Sequence, residues 1–123
     1  MTTKAGAFHA WIEDFGMPAY SSACVPTNAR LPYITYEFSS GMFGEQQHAI
    51  VVNVWYGENA SESEVNDKAE EIGRALGLGG VRLACEGGMV WLMRGEPFSQ
   101  TVSDTAGLHR RYINITAEFL TIE

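Results

Sequence analysis

The chain has 123 residues, of which 46% are hydrophobic, and this size and apolar content suit one domain with its own core. Its formal net charge of -7 argues against a protein that wraps duplex DNA, because such binding depends on clustered lysines and arginines. The N-terminus lacks the pattern of a secretory signal, and no apolar run approaches the roughly 20 residues of a membrane span. We therefore expect a single soluble domain over residues 1–123, cytoplasmic at synthesis.

Hydrophobic residues near the N-terminus recur at the spacing of one helix face. The members of this stripe are Phe8, Trp11, Ile12 and Phe15. Their spacing predicts an amphipathic helix over Ala5–Phe15, which Gly16 and Pro18 end. His9 lies beside the stripe, but no second metal ligand stands at helical spacing from it. We assign His9 a surface or packing role.

The segment after this helix, Met17–Pro32, shows no periodicity and is expected to be a long connection. From Leu31 onward the pattern alternates every two residues, which predicts a strand. One face of that strand would carry Ile34, Tyr36 and Phe38, and the other Tyr33, Thr35 and Glu37.

A glycine-rich loop follows, in which Gly41 and Gly44 bracket Met42 and Phe43. Its composition is typical of a hairpin tip. Two bulky apolar side chains at such a tip either fold back into their own domain or contact another subunit, and the sequence leaves both interpretations open.

A strand followed by a helix forms the centre of the predicted fold. The β-branched run Ile50–Tyr56 is almost continuously apolar, which predicts an interior strand covered on both faces. Ser61, followed three residues later by Glu64, has the spacing of a helix N-cap, and Gly77 and Gly79 would end the helix. The apolar stripe of this helix consists of Val65, Ala69, Ile72 and Leu76.

Two short apolar runs, Val81–Cys85 and Met89–Arg94, flank the residues Glu86, Gly87 and Gly88, whose composition is typical of a hairpin turn. Neither GxGxxG nor GxxxxGK[ST] is present, so a phosphate-binding loop is not predicted. Met89, Trp91 and Met93 alternate with Val90 and Leu92, which predicts that both faces of this strand are covered and that these side chains belong to the core.

The last part of the chain is predicted to contain an irregular excursion and a long strand. Residues 95–107 form the excursion, with a short piece of strand around Phe98, and Leu108–Thr121 forms a half-exposed antiparallel strand. Its apolar face carries Ile113, Ile115, Ala117 and Phe119. Arg110 and Arg111 at its start are either solvated or paired with acidic residues across a subunit boundary. Together the elements predict an α+β fold with a mixed, mainly antiparallel sheet of four to five strands, flanked by an N-terminal and a central helix.

The sequence contains no recognisable catalytic arrangement. His9, His48 and His109 are dispersed, and Cys24 and Cys85 form no CxxC pair. We expect both cysteines to be reduced and partly buried, with a disulfide or a catalytic thiol as alternatives. The prediction is a protein that is not an enzyme, has no catalytic, metal or cofactor site and no cofactor, and works through its surfaces.

Three stretches of the chain carry a family pattern. They are LPYITYEF (Leu31–Phe38) preceded by Pro26, the strand end Trp55–Tyr56 leading into an acidic helix, and RRYINITAEFL (Arg110–Leu120). They resemble the small tail-terminator and tail-completion (minor tail) proteins of tailed bacteriophages and prophages. With the order of strands and helices, the resemblance spans most of the chain.

The resemblance implies a structural subunit of the virion tail or neck that assembles with its own copies into a ring, commonly a hexamer. Such a ring sits on the head-proximal end of the tail tube, stops polymerisation and offers a surface to the head connector. The implied partners are the tail tube protein and the head-tail connector protein, with no sequence-specific nucleic acid and no membrane. The family supplies no residue-level site. A closed ring needs two different surfaces on each subunit. Our own candidates for the subunit or tube interface are Met42 and Phe43 on one side, and Phe98, Arg110 and Arg111 on the other.

Three alternative functions stay open at this point. The subunit could belong to the neck, as a head-tail connector or minor capsid protein. It could be a small cytosolic enzyme or ligand-binding domain that uses His48 or Cys85. It could also be a dimeric interaction domain from a prophage remnant.

Overall fold

The computed structural model describes residues 2–102 and 108–122, which contain two helices and six strands. The helices are α1 (Lys4–Glu13) and α2 (Glu62–Leu76). The strands are β1 (Ala19–Ser21), β2 (Tyr33–Glu37), β3 (His48–Gly57), β4 (Val81–Cys85), β5 (Gly88–Val102) and β6 (Leu108–Thr121).

The strands form one sheet in the order β1-β2-β3-β6-β5-β4. Every neighbouring pair is antiparallel except β1 and β2, which are parallel. The sheet curls into a half-barrel, and α1 contacts both edge strands, β1 and β4. The predicted α+β class with a mixed, mainly antiparallel sheet is confirmed. The predicted number of four to five strands is wrong. The strand β1 has three residues, which is too short to show a period, and it lies inside the segment that was expected to be only a connection.

One face of the sheet, the helix face, carries the core. Phe8 of α1 packs edge-on against Tyr36 of β2 with ring centroids 5.1 Å apart, and α2 packs over β3, β5 and β6. The fully buried strand residues of this face are Ile34, Ile50, Val52, Val54, Val90, Leu92, Ile113, Ile115 and Ala117. The apolar stripe predicted for α2 and the alternation predicted for β6 are confirmed by these positions.

Both helices begin at a hydroxyl cap. The Thr3 hydroxyl accepts a hydrogen bond from the Gly6 N–H at 3.0 Å, and the Ser61 hydroxyl accepts one from the Glu64 N–H at 3.2 Å. The predicted start of α2 is therefore confirmed, and so is its end, because Gly77 takes the C-cap position with φ +64°, where glycine is favoured. Helix α1 ends at Glu13, two residues before the predicted end at Phe15.

The opposite face, the open face, has no helix packed against it in the described part of the chain. In the central strand, Val51, Asn53 and Trp55 point to this face and are half-buried. The prediction that β3 is covered on both faces is therefore wrong. Met89, Trp91 and Met93, predicted as core, are also half-buried on the open face. Neighbouring strands, and not a second layer, shield the apolar surface of these side chains. A hydrophobic run in the sequence does not show which of the two provides the cover.

Strand β5 is longer than the sequence predicts. It continues through a register shift between Arg94 and Ser99 and pairs with β6 again as far as Val102. The irregular excursion predicted for residues 95–107 is therefore wrong over residues 99–102, and residues 103–107 lie outside the described part. Pro97 has no backbone N–H to donate to a neighbouring strand. It is tolerated because it falls in the irregular stretch between Arg94 and Ser99, and because the pairing of β5 with β4 ends before it, at Leu92.

Candidate interaction surfaces

The open face carries three aromatic side chains and one arginine in a row that crosses four strands. Tyr33 of β2 and Arg110 of β6 are the register partners of Trp55 on β3, so the three side chains share one face. Tyr20 of β1 extends the row, because its ring meets Tyr33 edge-on with centroids 5.7 Å apart. We call Tyr20, Tyr33, Trp55 and Arg110 the aromatic platform. All four side chains are half-buried and keep part of their surface in solvent.

Trp55 is held at two points. Its indole N–H donates to the hydroxyl of Thr35 at 2.9 Å, which satisfies a buried polar group on this face. The guanidinium carbon of Arg110 lies 5.1 Å from the centre of the Trp55 rings, and an Arg110 N–H donates to the side-chain oxygen of Asn53 at 3.4 Å. The platform is therefore preoriented, and it consists of the residue types that dominate binding energy at protein interfaces.

The loop between β2 and β3 forms a second surface. Met42 is 50% exposed and Phe43 is 71% exposed, so these side chains do not fold back into the core. We call the two residues the apolar tip. The loop backbone is anchored where the Phe43 N–H donates to the carbonyl of Thr121 at 2.9 Å and where the Lys4 ammonium donates to the carbonyl of Gly41 at 2.8 Å.

A hydrogen bond between two side chains also stabilises the loop. Glu45 Oε2 lies 3.0 Å from His48 Nε2, and the hydrogen bond with His48, followed by one with the Met42 backbone, lowers the pKa of the Glu45 carboxyl. The apolar tip is thus carried on a loop with defined contacts at both ends, which favours a specific contact over a loose one.

The aromatic platform and the apolar tip lie at opposite ends of β6. The tip is bonded to Thr121 at the end of this strand, whereas Arg110 stands at its start. The strand length between Arg110 and Thr121 corresponds to about 35 Å at the usual rise per residue. The subunit therefore presents two chemically different patches that are well separated.

The structure separates Arg110 from Phe98 and Arg111, although the three were predicted to lie on one surface. Arg110 and Arg111 lie on opposite faces, because successive residues of a strand alternate. Arg111 lines a cleft on the helix face, between α2 and the β5–β6 pair. Phe98 lies in the same cleft, and its ring is so close to α2 that a Cβ atom at Gly73 would stand 3.0 Å from Phe98 Cε2.

The acidic excess lies mainly on the helix side of the molecule. The exposed acidic residues of α2 are Glu62, Glu64, Asp67, Glu70 and Glu71. Where the described strands pair regularly, the charged residues on the open face are Arg82, Arg110, Glu37 and Glu118, which balance each other. The regularly paired strands therefore give the open face no excess of negative charge, although the chain as a whole is strongly acidic.

The cysteines lie in different environments. Cys85 is buried, and burial raises the pKa of its thiol, which makes it a poor nucleophile. Cys24 is exposed, so the expectation of partial burial is wrong for this residue, and neither cysteine is in a disulfide.

The histidines considered for catalysis make local contacts. His9 Nδ1 lies 2.8 Å from the Tyr36 hydroxyl, and His48 is engaged with Glu45. Within residues 2–102 and 108–122, no group of three or more histidine, cysteine and acidic side chains is placed to hold a metal ion. Within the same ranges, the helices are too short and too polar to cross a bilayer.

Sequence reasoning missed the aromatic members of the platform. A signal was present, because the alternation of β2 places Tyr33 with Thr35 and Glu37, which is the more polar face of that strand. The same two-residue period in β3 places Trp55 with Asn53. An aromatic side chain on the polar face of a strand is a candidate for a contact, as are exposed aromatic residues in general.

Comparisons with protein-family models, with curated proteins and with solved structures find no match to this chain. The resemblance of three stretches to phage tail proteins therefore stays a prediction.

Proposed function

We propose that this chain is a structural subunit that assembles into a ring on the head-proximal end of a phage tail tube. There it ends polymerisation of the tube and offers a docking surface to the head connector. The observation that carries the proposal is the separation of the aromatic platform from the apolar tip along β6. A closed ring needs a heterologous contact, in which one patch meets a different patch on the next copy.

The aromatic platform is assigned as the acceptor for the apolar tip of the neighbouring copy. Phe43 and Met42 are the exposed apolar side chains of a loop with an anchored backbone. Trp55 and Tyr33 offer ring faces and edges, and both aromatic pairs and methionine sulfur–aromatic contacts are favourable. Burying the tip against the platform would remove from water the two most apolar surfaces described above.

The acidic face of α2 takes no part in the contact between the aromatic platform and the apolar tip. Glu62, Asp67 and Glu71 are exposed there and would line a strongly negative surface of the ring. If this surface faces the lumen, it repels DNA that passes through the ring and prevents retention. Replacing these acids by glutamine or asparagine and measuring DNA ejection tests this role, and unchanged ejection would contradict it.

The direct test of the proposed function is electron microscopy of tails assembled with and without the protein. Loss of a tail terminator leaves the tube free to grow, so the expected result is a broad distribution of overlong tails. The Phe43→Ser variant should reproduce that phenotype, whereas Leu78→Ser, which removes another highly exposed apolar side chain, should not. Tails of normal length in the absence of the protein would overturn the proposal.

Copurification separates the ring from the alternative neck role. A tail terminator is expected with isolated tail tubes, whereas a connector or minor capsid protein is expected with filled heads that lack tails. A crystal complex with a small molecule bound beside Cys85 or His48 would favour the ligand-binding alternative.

A further inference from the structure

Arginine side chains converge on the helix face in a cleft of about 330 Å³ between α2 and the β5–β6 pair. Three of the chain's 8 lysines and arginines line it, although the net charge of the chain is -7. They are Arg74, Arg94 and Arg111. We call this site the arginine cleft. A concentration of cationic side chains in an acidic chain is a local feature that the overall charge does not explain.

Arg94 is held in a fixed position. Its Nε and Nη2 atoms donate to the carbonyl of Gly73 at 3.1 and 2.8 Å, and its guanidinium carbon lies 5.9 Å from the centre of the Phe98 ring. A guanidinium group has five N–H donors, so this contact leaves others for a further acceptor. Because the group is already oriented, less conformational entropy is lost when it binds an anion.

Arg111 has an unsatisfied donor. Its Nε atom is buried, and no hydrogen-bond acceptor lies within reach in the described residues. A buried donor on a charged group is costly when it is left without a partner. Arg111 lines the cleft together with Arg94. An anion bound in the cleft would therefore lie near both guanidinium groups and would offset part of the cost of burying Arg111.

The remaining lining restricts the ligand. Glu70 is the acidic side chain among the lining residues, and its contact with Arg74 is a long one of 3.8 Å between two exposed groups, which is worth little. Asn66 and Ser99 supply neutral polar groups, and Phe98 supplies an apolar wall. Planar guanidinium groups form two-point contacts with carboxylates and with phosphates alike. The chain's own 15 aspartates and glutamates make a carboxylate the acceptor that a second copy can supply.

We propose that the arginine cleft binds a carboxylate group. The carboxylate can come from an acidic segment of a second copy of this chain or from a free small carboxylic acid. The inference does not depend on the ring, because it rests on residues of the helix face that belong to neither the aromatic platform nor the apolar tip.

The test is an NMR titration that follows the arginine Nε–Hε signals of the ¹⁵N-labelled chain. Two carboxylate probes are used in separate arms: citrate, and a synthetic peptide with the sequence of residues 57–67, GENASESEVND. Sodium sulfate at matched ionic strength serves as the third arm. The expected result is a saturable shift of the Arg94 and Arg111 signals with citrate, with the peptide, or with both, and a smaller, non-saturating change with sulfate.

Variants show whether the arginines carry the binding. Arg111→Gln and Arg94→Gln are each expected to weaken binding of the active probe by about tenfold or more, which is the usual effect of losing one charged hydrogen bond. Arg82→Gln, on the open face, is the matched control and should bind as the unmodified chain does. Thermal unfolding of each variant establishes that it is folded, and the use of two arginine variants covers the case in which one does not fold.

The arms also distinguish the sources of the carboxylate. A response to the peptide alone points to a second copy of the chain, and a response to citrate points to a free small acid. No saturable shift with either probe, or an equal response to sulfate, would overturn the proposal.

Discussion

Arg110 and Trp55 face each other across the β3–β6 pair, with the guanidinium carbon 5.1 Å from the centre of the indole rings. A second arginine–tryptophan pair, Arg82 and Trp91, lies on the same face at 5.2 Å, across the β4–β5 pair. The two pairs are alike in geometry, but within the described part of the chain only the first is joined to a row of tyrosines. This difference makes the second pair a close control for the function of the first.

A mixing experiment tests the heterologous contact between the aromatic platform and the apolar tip. Arg110→Glu alters the platform, and Phe43→Ser removes the main side chain of the tip. Each variant alone should fail to form rings, because every junction needs one intact patch from each neighbour. A 1:1 mixture should form a dimer, since the tip of the first variant can still bind the platform of the second. Native mass spectrometry measures the masses, with tube protein added if the unmodified chain is monomeric.

The controls for that experiment are Arg82→Glu and Leu78→Ser. Arg82→Glu makes the same charge change at the other arginine–tryptophan pair, and Leu78 is 99% exposed but lies outside the tip. Both variants should assemble as the unmodified chain does. If Arg82→Glu abolished assembly while Arg110→Glu did not, the acceptor surface would be on β4 and β5, contrary to our assignment.

The two cysteines should differ strongly in their reaction with a thiol reagent. Cys24 is exposed, whereas Cys85 is buried and burial raises the pKa of its thiol. The reactive species is the thiolate, so labelling with a disulfide reagent at pH 8 should proceed at least about tenfold faster at Cys24 than at Cys85. Mass spectrometry of the digested protein measures the two rates. The Cys24→Ser variant should lose the fast phase only, and equal rates in the unmodified chain would contradict the burial of Cys85.

The folded state should lose stability at alkaline pH. Burial raises the pKa of Tyr36 and Tyr56, and nearby carboxylates, among them Glu64 for Tyr56, act in the same direction. Because the pKa is raised in the folded state, the unfolded tyrosine loses its proton first, above its own pKa of about 10. The free energy of unfolding therefore keeps its full value below about pH 10 and falls as the pH rises above it. Denaturant unfolding between pH 8 and 11.5 should therefore show a falling free energy of unfolding.

The Tyr56→Phe variant isolates one contribution to that pH dependence. The variant keeps the aromatic ring at position 56. It also keeps Tyr36 and the buried Cys85 thiol, and the raised pKa of each of these groups also lowers the free energy of unfolding at alkaline pH. Its free energy of unfolding should fall less steeply above pH 10 than that of the unmodified chain. Identical slopes would mean that Tyr56 ionises equally easily in the folded and unfolded states.

The N-cap of α2 should contribute measurably to stability. The Ser61 hydroxyl accepts a hydrogen bond from the Glu64 N–H at 3.2 Å, and the same N–H also reaches the Ser61 carbonyl at 3.2 Å. Ser61→Ala should lower the free energy of unfolding by about 1 kcal/mol, and Ser61→Thr, which keeps a hydroxyl, should lower it by less. Urea denaturation followed by circular dichroism measures both values. An equal loss in the two variants would mean that the hydroxyl does not act as the cap.

Local features of the fold could be predicted because they depend on neighbours in the sequence. The cap at Ser61, the end of α2 at Gly77 and the bounds of β6 (Leu108–Thr121) follow from hydrogen-bonding chemistry and from periods of 3.6 and 2 residues. The exposure of Met42 and Phe43 was one of two alternatives that the sequence left open. Choosing between them required the position of the loop relative to the core.

By itself, the sequence determined the α+β class, α2 and the alternation of the long strands, since these arise from contacts within a few residues. Only the tertiary structure decided which sheet face the helices cover, that β5 continues past Gly95, and that β1 joins the edge. It also decided that Arg110 lies on the aromatic platform while Arg111 lines the arginine cleft. The physical reason is that layer packing and strand pairing depend on residues far apart in the chain, which no local period records.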